Sequence, residues 1–149
     1  ASGDNGMVAG QAIDLAAVDN KLALAQLETM HSLKTGALIR ASVELGARAA
    51  GNATAKQLHS LDVYARAIGL AFQVQDDILD VTASTEVLGK QQGADEALNK
   101  PTYVSLLGLT AARAKAQNLH KQALSALETF GEQAEPLRQL SGYIISRAH

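Results

Sequence analysis

The chain has 149 residues, 47% of them apolar and 19% charged, and a formal net charge of -2. It is long enough for one domain with a real core and too short for two. No basic face is available to neutralise phosphates, which argues against broad nucleic-acid binding, and with no cysteine a disulfide scaffold, a thiolate nucleophile and a cysteine zinc site are excluded. No apolar run is long enough to span a bilayer, the N-terminus lacks a signal pattern, and a soluble cytoplasmic protein that is not a membrane protein is expected.

Helical periodicity recurs along almost the whole chain, and no repeat or low-complexity tract interrupts it. Residues 6–17 read as a first helix and 22–33 as a second. A third is carried by "KTGALIRASVELGARAAG", with Leu38, Ala41, Leu45 and Ala49 at spacings of three and four. Gly51 stands where a helix stops, and Asn52 or Thr54 can cap the next one. That next helix runs long, over about 54–81. Residues 82–102 are the most loop-like segment, with two glycines, a proline and mixed charges. A short apolar piece at 103–107 follows. Thr110 is then expected to cap an amphipathic helix whose stripe is Ala112, Ala116, Leu119, Ala123, Leu127 and Phe130, with Gly131 ending it. Pro136 opens a last helix containing Leu137, Leu140 and Ile144. The predicted class is all-α, a single helical unit over 1–149 with six or seven helices.

The long helix poses the chemical question. In "IGLAFQVQDDILDVT", residues 68–82, three aspartates fall within five positions with no lysine or arginine among them. On a helical wheel Gln73, Asp76, Asp77 and Asp80 form one polar stripe, and Gly69 lies one turn before Gln73 on the same line. Ile68, Ala71, Phe72, Val74, Ile78 and Leu79 occupy the rest of the circumference, so the helix should be buried and the stripe should face an internal cleft. The missing side chain at Gly69 would leave room there for a ligand. Two like charges at 4 Å cost about 1 kcal/mol in water and roughly 4 at a protein-surface dielectric. A hard divalent ion removes that cost, and Mg²⁺ suits oxygen donors that it shares with substrate phosphates. The stripe therefore reads as half of a metal-diphosphate site or, in the plainer case, as a solvated acidic face. No EF-hand loop is present.

These residues resemble the second aspartate-rich motif, DDxxD, of the trans-isoprenyl diphosphate synthases, and within that family the bacterial short-chain farnesyl diphosphate synthases. Three further segments are similar in the family's order and spacing. "GMVAGQAIDLA" matches a Gly-Gln-x-x-Asp helix through Gly10, Gln11 and Asp14. "HSLKTGALIRASVELGA" matches a Lys-Thr-Gly segment through Lys34, Thr35 and Gly36. "LGKQQGADEALNKPTY" matches the lysine-bearing loop through Lys90 and Lys100. The likeness covers essentially all 149 residues.

The resemblance implies an isoprenyl synthase fold and a prenyltransferase that joins isopentenyl diphosphate to an allylic diphosphate with Mg²⁺. It implies Asp76, Asp77 and Asp80 as metal ligands and Lys34 and Lys90 as grips on the allylic diphosphate. Thr35 and Gln73 would place polar oxygens near the cation or substrate, and an apolar cavity would protect the carbocation. Taken singly, Lys34 and Lys90 read as surface lysines, Thr35 as a capping residue and His31 as a packing or hydrogen-bonding histidine. Gln11 and Asp14 read as a structural hydrogen-bonded pair, and His59, His120 and His149 form no metal pattern. The family's first aspartate motif and the arginines after it have no counterpart here. Residues 1–149 are therefore expected to be the C-terminal half of a synthase, inactive alone and homodimeric when whole. A non-catalytic helical module, a geranyl or geranylgeranyl product and a terpenoid cyclase stay open as alternatives.

Overall fold

The computed structural model describes residues 1–18, 20, 22–82 and 100–148. Among these are seven α-helices and no strand: α1 (Met7–Ala16), α2 (Leu24–His31), α3 (Ala37–Ala49), α4 (Ala55–Thr82), α5 (Tyr103–Leu107), α6 (Leu109–Ala126) and α7 (Glu135–Ser146). A π-helical turn, Ser32–Gly36, joins α2 to α3, and a 3-10 segment, Glu128–Ala134, joins α6 to α7.

The central element is α4, long because nothing in residues 55–82 breaks it. Its start is sealed by a capping box. The Thr54 hydroxyl accepts from the Gln57 amide at 3.3 Å while the Gln57 side chain accepts from the Thr54 amide at 2.9 Å. The preceding Gly51, at a φ of 76°, ends α3 as anticipated. Tyr64, Ala67, Ala71, Val74 and Ile78 of α4 enter one core with Ala112, Ala116, Leu119 and Ala123 of α6. Among the described residues these two helices make the most extensive helix–helix contact, and the small alanines let the axes approach closely. α7 packs on both α4 and α6, and the Tyr64 hydroxyl donates to the Leu137 carbonyl at 2.8 Å. Burial pushes that phenol up to about 12.

Two expected helix ends move. Gly108, at a φ of 80°, precedes α6 and does the terminal work assigned to Thr110, which lies inside the first turn. α6 stops at Ala126, and Gly131 with a φ of 62° makes a kink five residues later instead of ending the helix. Pro136 stands in the first turn of α7, as its missing amide hydrogen permits. Most of the loop-like segment expected at 82–102 lies outside the described residues, and among the described residues no helix is long and apolar enough to cross a membrane.

Candidate diphosphate and metal site

The site is organised around the π-helical turn at Ser32–Gly36, a widened turn of the kind often found where function needs a backbone out of register. This turn is held between two helices by glycines. A Cβ on Gly10 of α1 would lie 2.2 Å from the Lys34 backbone nitrogen and 2.5 Å from its Cα, so α1 can cross there only because that atom is missing. On the opposite side, a Cβ on Gly69 of α4 would stand 3.2 Å from the Gly36 Cα. Gly69 thus makes room for backbone and not for a ligand, which corrects the reading from the helical wheel.

Asp14 lies one turn beyond Gly10 on the same face of α1. Its partners are lysines and not Gln11. Lys34 donates to Oδ2 at 2.9 Å, and the Lys100 ammonium stands 3.5 Å from the same oxygen. Burial pushes the Asp14 carboxyl up, but the hydrogen bond and charge of Lys34, joined by Lys100, outweigh it and hold the group below the usual carboxylate range. Thr35 is half-buried in the same turn.

The acid stripe is in place and largely enclosed. Asp77 and Asp80 are 7% and 2% exposed, while the Asp76 side chain keeps 43% of its surface. Gln73 is half-buried one turn before them. The Asp77 Oδ2 accepts from the Tyr103 amide at 2.7 Å, so this carboxylate also anchors the first turn of α5. Asp76 is engaged by the Arg147 guanidinium, which also donates to the Phe72 carbonyl at 3.3 Å and lies 4.1 Å from the centre of the Phe72 ring. Sequence reasoning missed Arg147. It follows the last helix, 71 residues away from Asp76, and no periodicity marks it.

Tyr103 connects the two groups of residues. Its amide is on Asp77, its ring stacks on His31 with centroids 5.6 Å apart, and three residues before it Lys100 reaches Asp14. His31 is buried against the Tyr103 ring, so it packs, one of the two roles expected of it. Burial and the nearby Lys34 charge lower its pKa to about 4 against the opposing pull of Asp14 and Gln73. Lys90 and His149 lie outside the described residues. Beside Phe72 and Arg147 a groove of about 590 Å³ opens between α3, α4 and α7, walled by Leu38, Ile39, Ile68, Leu140 and Tyr143.

Among the described residues, no three acidic or histidine side chains form a self-contained metal cage. The donors that are present suit a different kind of ion: carboxylate oxygens on one helix face, with lysines nearby to meet an anion. Mg²⁺, which takes one or two carboxylates and completes its shell with water and phosphate oxygens, fits that set.

Residues 3–140 match the polyprenyl synthetase family. The chain belongs to that family. It is 53% identical to the farnesyl diphosphate synthase of Escherichia coli over 99% of its own length and 50% of that protein's. It is 47% identical to the farnesyl diphosphate synthase of Haemophilus influenzae, over 98% and 50% respectively. A Helicobacter pylori geranyltransferase, crystallised with magnesium and isoprenyl diphosphate, superposes with a TM-score of 0.76 at 37% identity, covering 96% of this chain and 48% of that one. The chain therefore spans about half the length of the relatives it matches.

Proposed function

We propose that the protein carrying this chain is a Mg²⁺-dependent prenyltransferase that condenses isopentenyl diphosphate with an allylic diphosphate, dimethylallyl or geranyl, to give farnesyl diphosphate. In this reading residues 1–149 supply the half of the site that holds the allylic diphosphate. The supporting observation is the link through residues 100–103, which ties the lysines on Asp14 to the acid on α4 in one constellation. The farnesyl product is favoured by the names of the Escherichia coli and Haemophilus influenzae relatives.

Asp76, with Asp77 and Asp80, would hold Mg²⁺ directly or through waters. The bound ion acts as a Lewis acid on the leaving diphosphate. Lys34 and Lys90 would grip that diphosphate, adding positive charge where negative charge builds as the C–O bond breaks and its electron pair leaves with the phosphate oxygen. Thr35 and Gln73 would present polar oxygens to the allylic cation, which the double bond of isopentenyl diphosphate attacks before a proton is lost. Phe72 and the apolar groove would keep water from the cation. A homodimer and a cytoplasmic location go with this reading.

The test is Asp76→Ala in the protein expressed from its full reading frame. Turnover of labelled isopentenyl diphosphate with geranyl diphosphate should fall at least about 100-fold. Near-normal turnover would overturn the assignment.

A further inference from the structure

We propose that Asp14 is a positioning residue whose buried carboxylate holds the ammonium groups of Lys34 and Lys100 side by side as one clamp for a diphosphate group. The inference rests on the function proposed above and gives Asp14, read from the sequence only as a structural partner of Gln11, a role in it.

The geometry has three parts. Both ammonium groups meet the same atom, Oδ2, at 2.9 and 3.5 Å, although they come from different elements, the π-helical turn and the approach to α5. Two ammonium groups that share one oxygen lie close enough for a single diphosphate to bridge them. The exposure is graded: the Asp14 side chain keeps 11% of its surface, against 31% for Lys34 and 26% for Lys100. The carboxylate is the least accessible of the three, and both lysine side chains keep surface open to a ligand. The backbone brings the partners together as well, because α1 crosses close over Lys34 at Gly10, one turn before Asp14.

Charge explains why a brace is needed. Two ammonium groups that meet one and the same oxygen repel each other. Unopposed, they would swing apart. One carboxylate between them removes most of that repulsion and leaves a single positive charge in excess, facing outward. A diphosphate then meets donors already aimed at it and does not spend binding energy gathering them.

The experiment is isothermal titration of inorganic pyrophosphate, with Mg²⁺ present, into the protein expressed from its full reading frame. Wild type is compared with Asp14→Asn, Lys34→Met and the double variant. Asp14→Asn raises the local charge by one unit, so charge alone would tighten binding, whereas loss of the brace should weaken it about tenfold. In the Lys34→Met background the same change should weaken binding clearly less than tenfold, because one of the two ammonium groups it braces is gone and only Lys100 is left. Unchanged or tighter binding by Asp14→Asn overturns the brace, and so does an equal effect in both backgrounds. If Asp14→Asn does not fold, Asp14→Glu keeps the charge and moves the carboxylate outward by one methylene. A brace predicts at least threefold weaker binding for it, and wild-type affinity overturns the idea. Wild type failing to bind pyrophosphate at all would sink the function proposed above, and the brace with it.

Discussion

Gly10→Ala puts the architecture of the site at risk with a single methyl group. The added Cβ would sit 2.2 Å from the Lys34 nitrogen, where ordinary contact begins at 3.4 Å, and the obstructing atoms are backbone on both sides. Neither partner can rotate away, so α1 must back off by about an ångström. Overpacking of this kind costs up to about 3 kcal/mol. Alanine is the better helix former and returns about 1 kcal/mol, so the expected net loss is about 2 kcal/mol. Gly46→Ala in α3 is the matched control, because nothing lies within 4 Å of its Cβ position. It should stabilise by about 0.5–1 kcal/mol. Urea denaturation of both variants checks the sign as well as the size. If the two substitutions shift the midpoint in the same direction, the close crossing of α1 over Lys34 is not the reason for the glycine.

Thr54→Ala removes the capping box at the head of α4 and should cost about 1 kcal/mol in the same assay, with no effect if the helix is held by packing alone. His31 is neutral in the fold until pH falls to about 4, whereas the unfolded chain binds a proton near 6.5. Stability contributed by keeping it neutral is present above pH 6.5 and is lost as pH falls toward 4, by up to about 3 kcal/mol. His31→Phe should flatten that slope in urea melts across the window, and an unaltered slope would assign it to other groups. Arg147→Met withdraws the cation that competes for the Asp76 carboxylate. Mn²⁺ binding followed by electron paramagnetic resonance should tighten, and equal or weaker binding would rule out competition.

What could be read from residue types alone was the part governed by local rules. The apolar circumference of α4, the Thr54 cap, the proline at the start of α7 and the single acidic line at Gln73, Asp76, Asp77 and Asp80 all follow from helix periodicity and end chemistry. Periodicity names a face but not what lies against it. Gly69 shows the difference: an absent side chain on the acid stripe looked like space for a ligand, and the Gly36 backbone fills that space. Asp14 shows it again, since the i, i+3 spacing to Gln11 suggested a partner on its own helix while the lysines came from 20 and 86 residues away.

The same distinction explains how the site coheres. Its charged groups come from α1, the π-helical turn, α4 and the segment before α5. Backbone contacts set the spacing at two points, Gly10 against Lys34 and Gly36 against Gly69, and the Asp77 carboxylate accepting from the Tyr103 amide sets a third. Charges then settle at distances that the backbone has already chosen. Substitutions at these glycines should therefore disturb ligand binding as strongly as substitutions of the lysines, even though no glycine atom carries charge. Titrating pyrophosphate into Gly10→Ala checks this directly. Its affinity should fall about as far as that of Lys34→Met, and wild-type affinity would mean that the lysine finds its place without the crossing.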